Sequence, residues 1–112
     1  RGKAFEDGVL AALDLPKNTV RIPVTLPGGK SVTVIPDALK DVTIIEAKDV
    51  KYLSNSDQFR GYLATGKEIQ LYVSPDTKIS KPLYDKIINN LAGGSIQVFD
   101  PVTKALTKWE PK

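Results

Sequence analysis

Apolar residues open the chain at helical spacing: Phe5, Val9, Ala12 and Leu13 fall on one side of a segment spanning residues 2 to 13, which Leu15-Pro16 closes. The period then changes to two. Val20 to Leu26 alternates, Pro27-Gly28-Gly29-Lys30 is a turn, and Ser31 to Ile35 alternates again, so the two runs form a hairpin whose first strand Pro23 places at an edge. Ala38 to Asp41 reads as the next turn, and Val42-Thr43-Ile44-Ile45 is apolar on both faces, as a central strand is. Three successive antiparallel strands are expected.

Ser54-Asn55-Ser56-Asp57 is rich in N-cap residues and introduces a helix from about Ser56 to Thr65 that ends at Gly66. Ile69 to Val73 is a strand and Ser74 to Thr77 a loop. Ser80 caps a helix with Pro82 in its first turn, running through Leu83, Ile87 and Leu91 to Gly93-Gly94. Ser95 to Phe99 is the last strand, and the tail from Asp100 has no period; Trp109 is expected on the core or on a partner. The order is therefore α-β-β-β-α-β-α-β. A crossover helix between the third and fourth strands favours an α/β fold with a mixed sheet and helices on both sides.

At 112 residues the chain is long enough for one core and too short for two, so residues 1 to 112 are expected to be a single domain. No apolar run approaches the ~18 to 20 residues of a membrane span, and no signal-peptide apolar region follows Arg1 to Glu6. The start lacks methionine, which suggests a fragment of something longer. The absence of histidine and cysteine excludes zinc fingers, cysteine nucleophiles, Ser-His-Asp triads and histidine-driven RNA cleavage. Any chemistry must use carboxylates, lysines, hydroxyls and a borrowed ion.

That narrows attention to Pro36-Asp37 and, nine residues on, Glu46-Ala47-Lys48, each set closing a strand-like apolar run. Alternate strand residues share a face, so Glu46 and Lys48 project together, and a hairpin brings Asp37 beside them. Two carboxylates suit magnesium, which takes oxygen ligands and keeps waters, while a nearby lysine holds a water or stabilises charge developing on phosphorus. The physical reading is metal-assisted cleavage of a phosphodiester. The plainer alternative is an aspartate opening a turn and a solvated Glu46–Lys48 pair. Glu6 shares its helix side with Val9, Leu10 and Leu13, either as a first-turn acid at the helix N-terminus or as a third acid for the metal. Gln58 and Tyr62, four apart, share a helix face.

The net charge of +3 is modest, and residues 31 to 60, which hold the motif, are the one stretch with more acidic than basic groups. With Glu6, Asp37 and Glu46 neutralised by a cation, the 16 basic residues face only 10 acidic ones, a balance suited to a polyanion. A soluble domain with a slightly basic surface explains the charge alone equally well.

These residues resemble the PD-(D/E)XK nuclease superfamily, the restriction-endonuclease fold. Pro36-Asp37 and Glu46-Ala47-Lys48 match its defining motif, Glu6 stands where a preceding helix carries an acid, and Gln58-Phe59-Arg60-Gly61-Tyr62 resembles a Q-x-x-x-Y motif on the helix that follows. The Phe5-Glu6 start, the Gln58-Phe59-Arg60 trio and Ile79-Ser80-Lys81-Pro82-Leu83 are similar to the restriction-endonuclease-fold toxin domains at the C-termini of bacterial polymorphic and contact-dependent inhibition toxins. The resemblance implies that Asp37 and Glu46 ligate Mg2+ or Mn2+, with the Ala47 carbonyl and Glu6 completing the site. It implies that Lys48 positions the attacking water, that Gln58 and Tyr62 orient the site or touch the backbone, and that Arg60 reaches a phosphate.

The function it implies is a metal-dependent endonuclease, DNA favoured over RNA, acting as an antibacterial effector. Such a domain would be delivered from a larger secreted or cell-surface protein into a target-cell cytoplasm and neutralised in its maker by a small acidic immunity protein. A repair or restriction enzyme, an RNA-cleaving toxin and a non-catalytic binding module are the alternatives.

Overall fold

The six residues from Thr43 to Lys48 form the strand around which the molecule is built, because their first five side chains are all buried and both faces must therefore be covered. The computed structural model describes residues 2–111. Helix α1 (Gly2–Leu13) is followed by strands β1 (Ile22–Thr25), β2 (Ser31–Val34), β3 (Ala38–Lys40), β4 (Thr43–Lys48) and β5 (Tyr52–Leu53). Then come α2 (Asp57–Ala64), β6 (Glu68–Val73), β7 (Lys78–Ile79), α3 (Lys81–Ile88), β8 (Gly94–Phe99) and β9 (Leu106–Lys108).

The main sheet runs β3-β4-β6-β8-β9. Its three middle strands are parallel, and the edge strands β3 and β9 are antiparallel to their neighbours. On one face Ile44, Ile69, Leu71 and Ile96 pack with Phe59 and Tyr62 of α2 and Leu83 and Ile87 of α3; on the other, Ile45, Ala47, Tyr72 and Phe99 pack with Phe5, Val9 and Leu10 of α1. This is the expected mixed α/β sheet covered on both sides. Among the described residues no helix is long and apolar enough to cross a membrane.

Several local expectations are corrected. Ala38 to Lys40 is a strand rather than a turn: Ala38 is fully buried and pairs with Ile45, and the chain reverses at Asp41-Val42, where Asp41 takes a φ of 54°. The three expected consecutive antiparallel strands therefore do not form one sheet. β1 and β2 make a separate ribbon, which lies on α2 so closely that a Cβ at Gly61 would stand 2.5 Å from Val34 Cγ1. Helix α3 stops at Ile88 rather than running to Leu91, which is fully exposed. The Asn90 amide donates to the Lys67 and Gly93 carbonyls at 2.9 Å, turning the chain back so that Gly94 passes against the Ile87 carbonyl, where no side chain fits.

The parallel pair β5–β7 and the strand β9 carry no readable period because they are only two and three residues long. The tail settles on the core. Trp109 is buried, with its backbone N–H on the Ile96 carbonyl at 3.0 Å and its indole N–H on the Thr77 carbonyl at 3.0 Å.

Candidate active site

Along β4 the even residues face α2, which puts Glu46 in the core layer of Ile44 with only 1% of its surface exposed. A buried carboxyl needs partners, and the neighbouring elements supply them. Tyr62 of α2 donates its hydroxyl to Glu46 Oε1 at 2.9 Å, and the Asp37 backbone N–H donates to the same oxygen at 3.2 Å. Lys48, two residues on and on the same face, pairs with Glu46 Oε2 at 2.8 Å.

Asp37 reaches this cluster by a different route from the one its spacing suggests. It does not close β2; it immediately precedes β3, and the Ala38–Ile45 register sets it opposite Glu46. Its Oδ2 accepts the Ala47 N–H at 2.8 Å. Burial pushes the Asp37 carboxyl up to about 7, with the Glu46 charge next in effect, the Ala47 hydrogen bond opposing, and Glu6 adding a further push. Two carboxyls are thus held together where negative charge is unwelcome.

Tyr62 also hydrogen-bonds the Ile35 carbonyl at 3.4 Å, so one hydroxyl ties α2 both to β4 and to the segment leading into Asp37. Burial, then the Glu46 charge, drives its phenol far above the usual range and keeps it a protonated donor, while a hydrogen bond from Gln58 acts in the opposite sense. Gln58 stands between Tyr62 and a hollow of about 490 Å³ that it lines with Val32, Thr33, Val34, Ile35 and Asp57. Arg60 lies elsewhere. Two residues from both Gln58 and Tyr62, it points to the other side of α2, pairs with Asp57 at 3.2 Å and lines a separate hollow with Asn55 and Lys86.

Glu6 lies beyond the first turn of α1, which has no acidic residue, so the helix-terminus explanation of this side chain does not hold. It is paired with Lys17, which Glu6 holds above the usual lysine range; the charge of Asp37 contributes too, so the two acids and Lys17 form one electrostatic neighbourhood. Lys17 and Asn18 carried no signal in the sequence beyond that of turn residues. Asn18 holds the motif segment from outside: its backbone N–H donates to the Asp37 carbonyl at 2.8 Å and its amide to the Pro36 carbonyl at 3.0 Å. The same amide donates to the Val20 carbonyl at 2.9 Å and its oxygen accepts the Val20 N–H at 3.0 Å, which fixes the side chain. Only the folded path from α1 to β1 brings it there.

The structure therefore brings together Asp37, Glu46, Ala47, Lys48 and Tyr62, sets Gln58 beside them, brings Glu6 near under the hold of Lys17, and leaves Arg60 apart. Among the described residues no three acidic, histidine or cysteine side chains form a ready cage for a metal. A magnesium ion needs less than that, one or two carboxylates with water and substrate oxygens, and the donor set of Asp37, Glu46 and the Ala47 carbonyl is all oxygen. Burial is the larger cause of the rise of Asp37 and the Glu46 charge the next, and a divalent ion would offset the second of these. On those grounds the residues fit the ion.

A family model described as restriction endonuclease fold toxin 7 matches residues 2–83 of the chain. No curated protein and no solved structure matches it significantly.

Proposed function

The chain belongs to the restriction-endonuclease-fold toxin family, and we propose that it is a divalent-metal-dependent endonuclease, a toxin domain that hydrolyses the phosphodiester bonds of nucleic acid, DNA favoured over RNA. The observation that carries this reading is the packing of Asp37 against Glu46 with Lys48 on the Glu46 carboxyl, at the end of two parallel strands.

In this reading Asp37 through Oδ1, Glu46 and the Ala47 carbonyl hold Mg2+ or Mn2+, and Glu6 supports the site from α1. The ion, when bound, polarises the phosphate and favours ionisation of a water. Lys48 orients that water and offsets negative charge on the phosphorus oxygens in the transition state. Tyr62 keeps Glu46 in place, Gln58 orients Tyr62 at the edge of the hollow where a strand backbone would lie, and Asn18 positions Asp37. Arg60, on the other side of α2, would touch only a more distant phosphate.

The family supports the biological part of the reading: residues 1 to 112 as the toxic domain of a larger secreted or surface-delivered protein, acting in the target-cell cytoplasm. A small acidic immunity protein, complementary to the net positive charge of the chain, would restrain it in the maker. The test is incubation of the purified domain with plasmid, genomic DNA and total RNA, in magnesium, in manganese and in EDTA. Cleavage only with the ion is expected. A parallel expression test should find the wild type toxic in the bacterial cytoplasm and Asp37→Ala harmless. Intact substrates in every lane would sink the nuclease, and tolerance of the wild type without a partner would sink the toxin.

A further inference from the structure

Of three phenylalanines, four tyrosines and one tryptophan, only Tyr52 is exposed, at 61%. It lies on β5, and the parallel β5–β7 register pairs it with Lys78 while Leu53 pairs with Ile79. Leu53 and Ile79 turn into the core, so alternation turns Tyr52 and Lys78 outward together.

The ribbon is short yet firmly held. The Lys78 N–H donates to the Lys51 carbonyl at 2.8 Å and the Ser80 N–H to the Leu53 carbonyl at 2.9 Å. Buried Thr77 donates its hydroxyl to the Val50 carbonyl at 2.6 Å and accepts the Trp109 indole N–H at its own carbonyl. An exposed ring on so fixed a base loses little freedom when something stacks on it.

Its location gives the ring a use. Because β4 and β6 are parallel and end together at the Lys48–Val73 pair, the segments that leave them to form β5 and β7 emerge at one end of the sheet, where the candidate site lies. Tyr52 is four residues beyond Lys48, a span of at most ~14 Å. Leu53 and Ile79 pack in the same core layer as Ile44 and Tyr62, so the ribbon is on the Glu46 side of the sheet. Lys51, which precedes the ring, and Lys78, which pairs with it across the ribbon, are both exposed, so two ammonium groups lie beside the ring and outside the Glu46–Lys48 pair.

We infer that Tyr52, flanked by Lys51 and Lys78, is a stacking subsite for an unpaired nucleotide of the polynucleotide substrate, next to the phosphate that the Asp37–Glu46–Lys48 cluster would cut. The inference rests on the nuclease reading and deepens it. A tyrosine face stacks on any base, and lysines beside it take the backbone phosphates, a combination that binds single strands with little sequence preference. A fully paired duplex keeps its bases stacked on one another and gains nothing from the ring.

Binding measured in EDTA, where no cleavage is expected, separates this subsite from the chemistry. Fluorescein-labelled 12-mers of single-stranded DNA, single-stranded RNA and duplex DNA are titrated against wild type, Tyr52→Phe, Tyr52→Leu and Lys78→Gln, with melting curves to show that the variants fold. Tyr52→Leu should bind the better of the two single strands about tenfold more weakly, Tyr52→Phe should match wild type, and duplex affinity should not respond to either. Lys78→Gln should reduce the salt slope of log K by about 0.7. The preferred single strand identifies the substrate backbone. Equal affinity of wild type and Tyr52→Leu, or no binding by wild type, overturns the subsite, even where magnesium-dependent cleavage by wild type upholds the nuclease. Tyr52-dependent binding with no cleavage in magnesium or manganese has the opposite meaning: the subsite stands and the nuclease falls.

Discussion

The hydroxyl of Tyr62 donates to Glu46 Oε1 at 2.9 Å, joining the helix after the motif to a carboxyl that is all but sealed from solvent. The bond gives α2 a part in the site although α2 offers no acid there. Tyr62→Phe removes the donor and leaves the ring. It should lower stability by ~1 to 3 kcal/mol, since Glu46 keeps its burial and loses a partner, and should slow cleavage by letting that carboxyl shift. Denaturant melts and single-turnover rates measure the two effects; an unchanged rate would make Tyr62 a packing residue only.

Lys48 is the test of the chemistry. Lys48→Ala should cut cleavage by ~100-fold or more, the loss typical of an electrostatic stabiliser of the transition state. Glu46→Gln preserves shape and the Tyr62 contact better than Glu46→Ala, which would open a cavity in a hydrogen-bonded core. It should abolish turnover with the fold intact. Circular dichroism beside a plasmid-nicking assay distinguishes loss of chemistry from loss of structure.

Metal-free stability should depend on pH through Asp37. Its folded-state value of about 7 stands above the ordinary aspartate value of 3.8, so between those limits the native state holds more proton than the unfolded chain. Stability from this group is therefore present at low pH, falls as pH rises through that window, and stays lost above it. Asp37→Asn should raise the Tm in EDTA at pH 8 and bring little gain near pH 4. Magnesium should raise the wild-type Tm at pH 8 and leave Asp37→Asn unaffected. A wild-type Tm that does not respond to the ion would count against the metal site.

Glu6 is separable from the other acids because Lys17 holds it. Glu6→Gln should raise the magnesium concentration needed for half-maximal cleavage several-fold while the rate at saturating ion changes little. Identical magnesium curves would remove Glu6 from the site.

The tail should prove structural. Trp109→Ala gives up a buried ring that lies 5.7 Å from Tyr84 and an indole hydrogen bond to Thr77, and should cost ~3 to 5 kcal/mol. Thermal denaturation reads it directly, and a loss below 1 kcal/mol would contradict the packing seen here.

The sequence by itself determined the parts that depend on local pattern. Helix α1 and its apolar side, the N-cap-rich entry to α2, the Ser80 cap, the long strands β4, β6 and β8, and the mixed sheet implied by a crossover helix were legible because period, caps and breakers act within a few residues. The proximity of Glu46 and Lys48 followed from strand alternation alone. Tertiary structure decided what depends on partners distant in sequence. Ala38 to Lys40 is a strand only because β4 offers an edge, and Trp109 is core only because Thr77 and Ile96 receive it. Asn18 reaches Pro36 and Asp37, and Glu6 meets Lys17, through the path of a loop that no periodicity describes. The helical turn alone set Arg60 apart from Gln58 and Tyr62, but the fold decided which side of α2 faces the acids. Pattern specifies which residues are apolar or constrained; burial and hydrogen-bond satisfaction across the assembled core specify which of them meet.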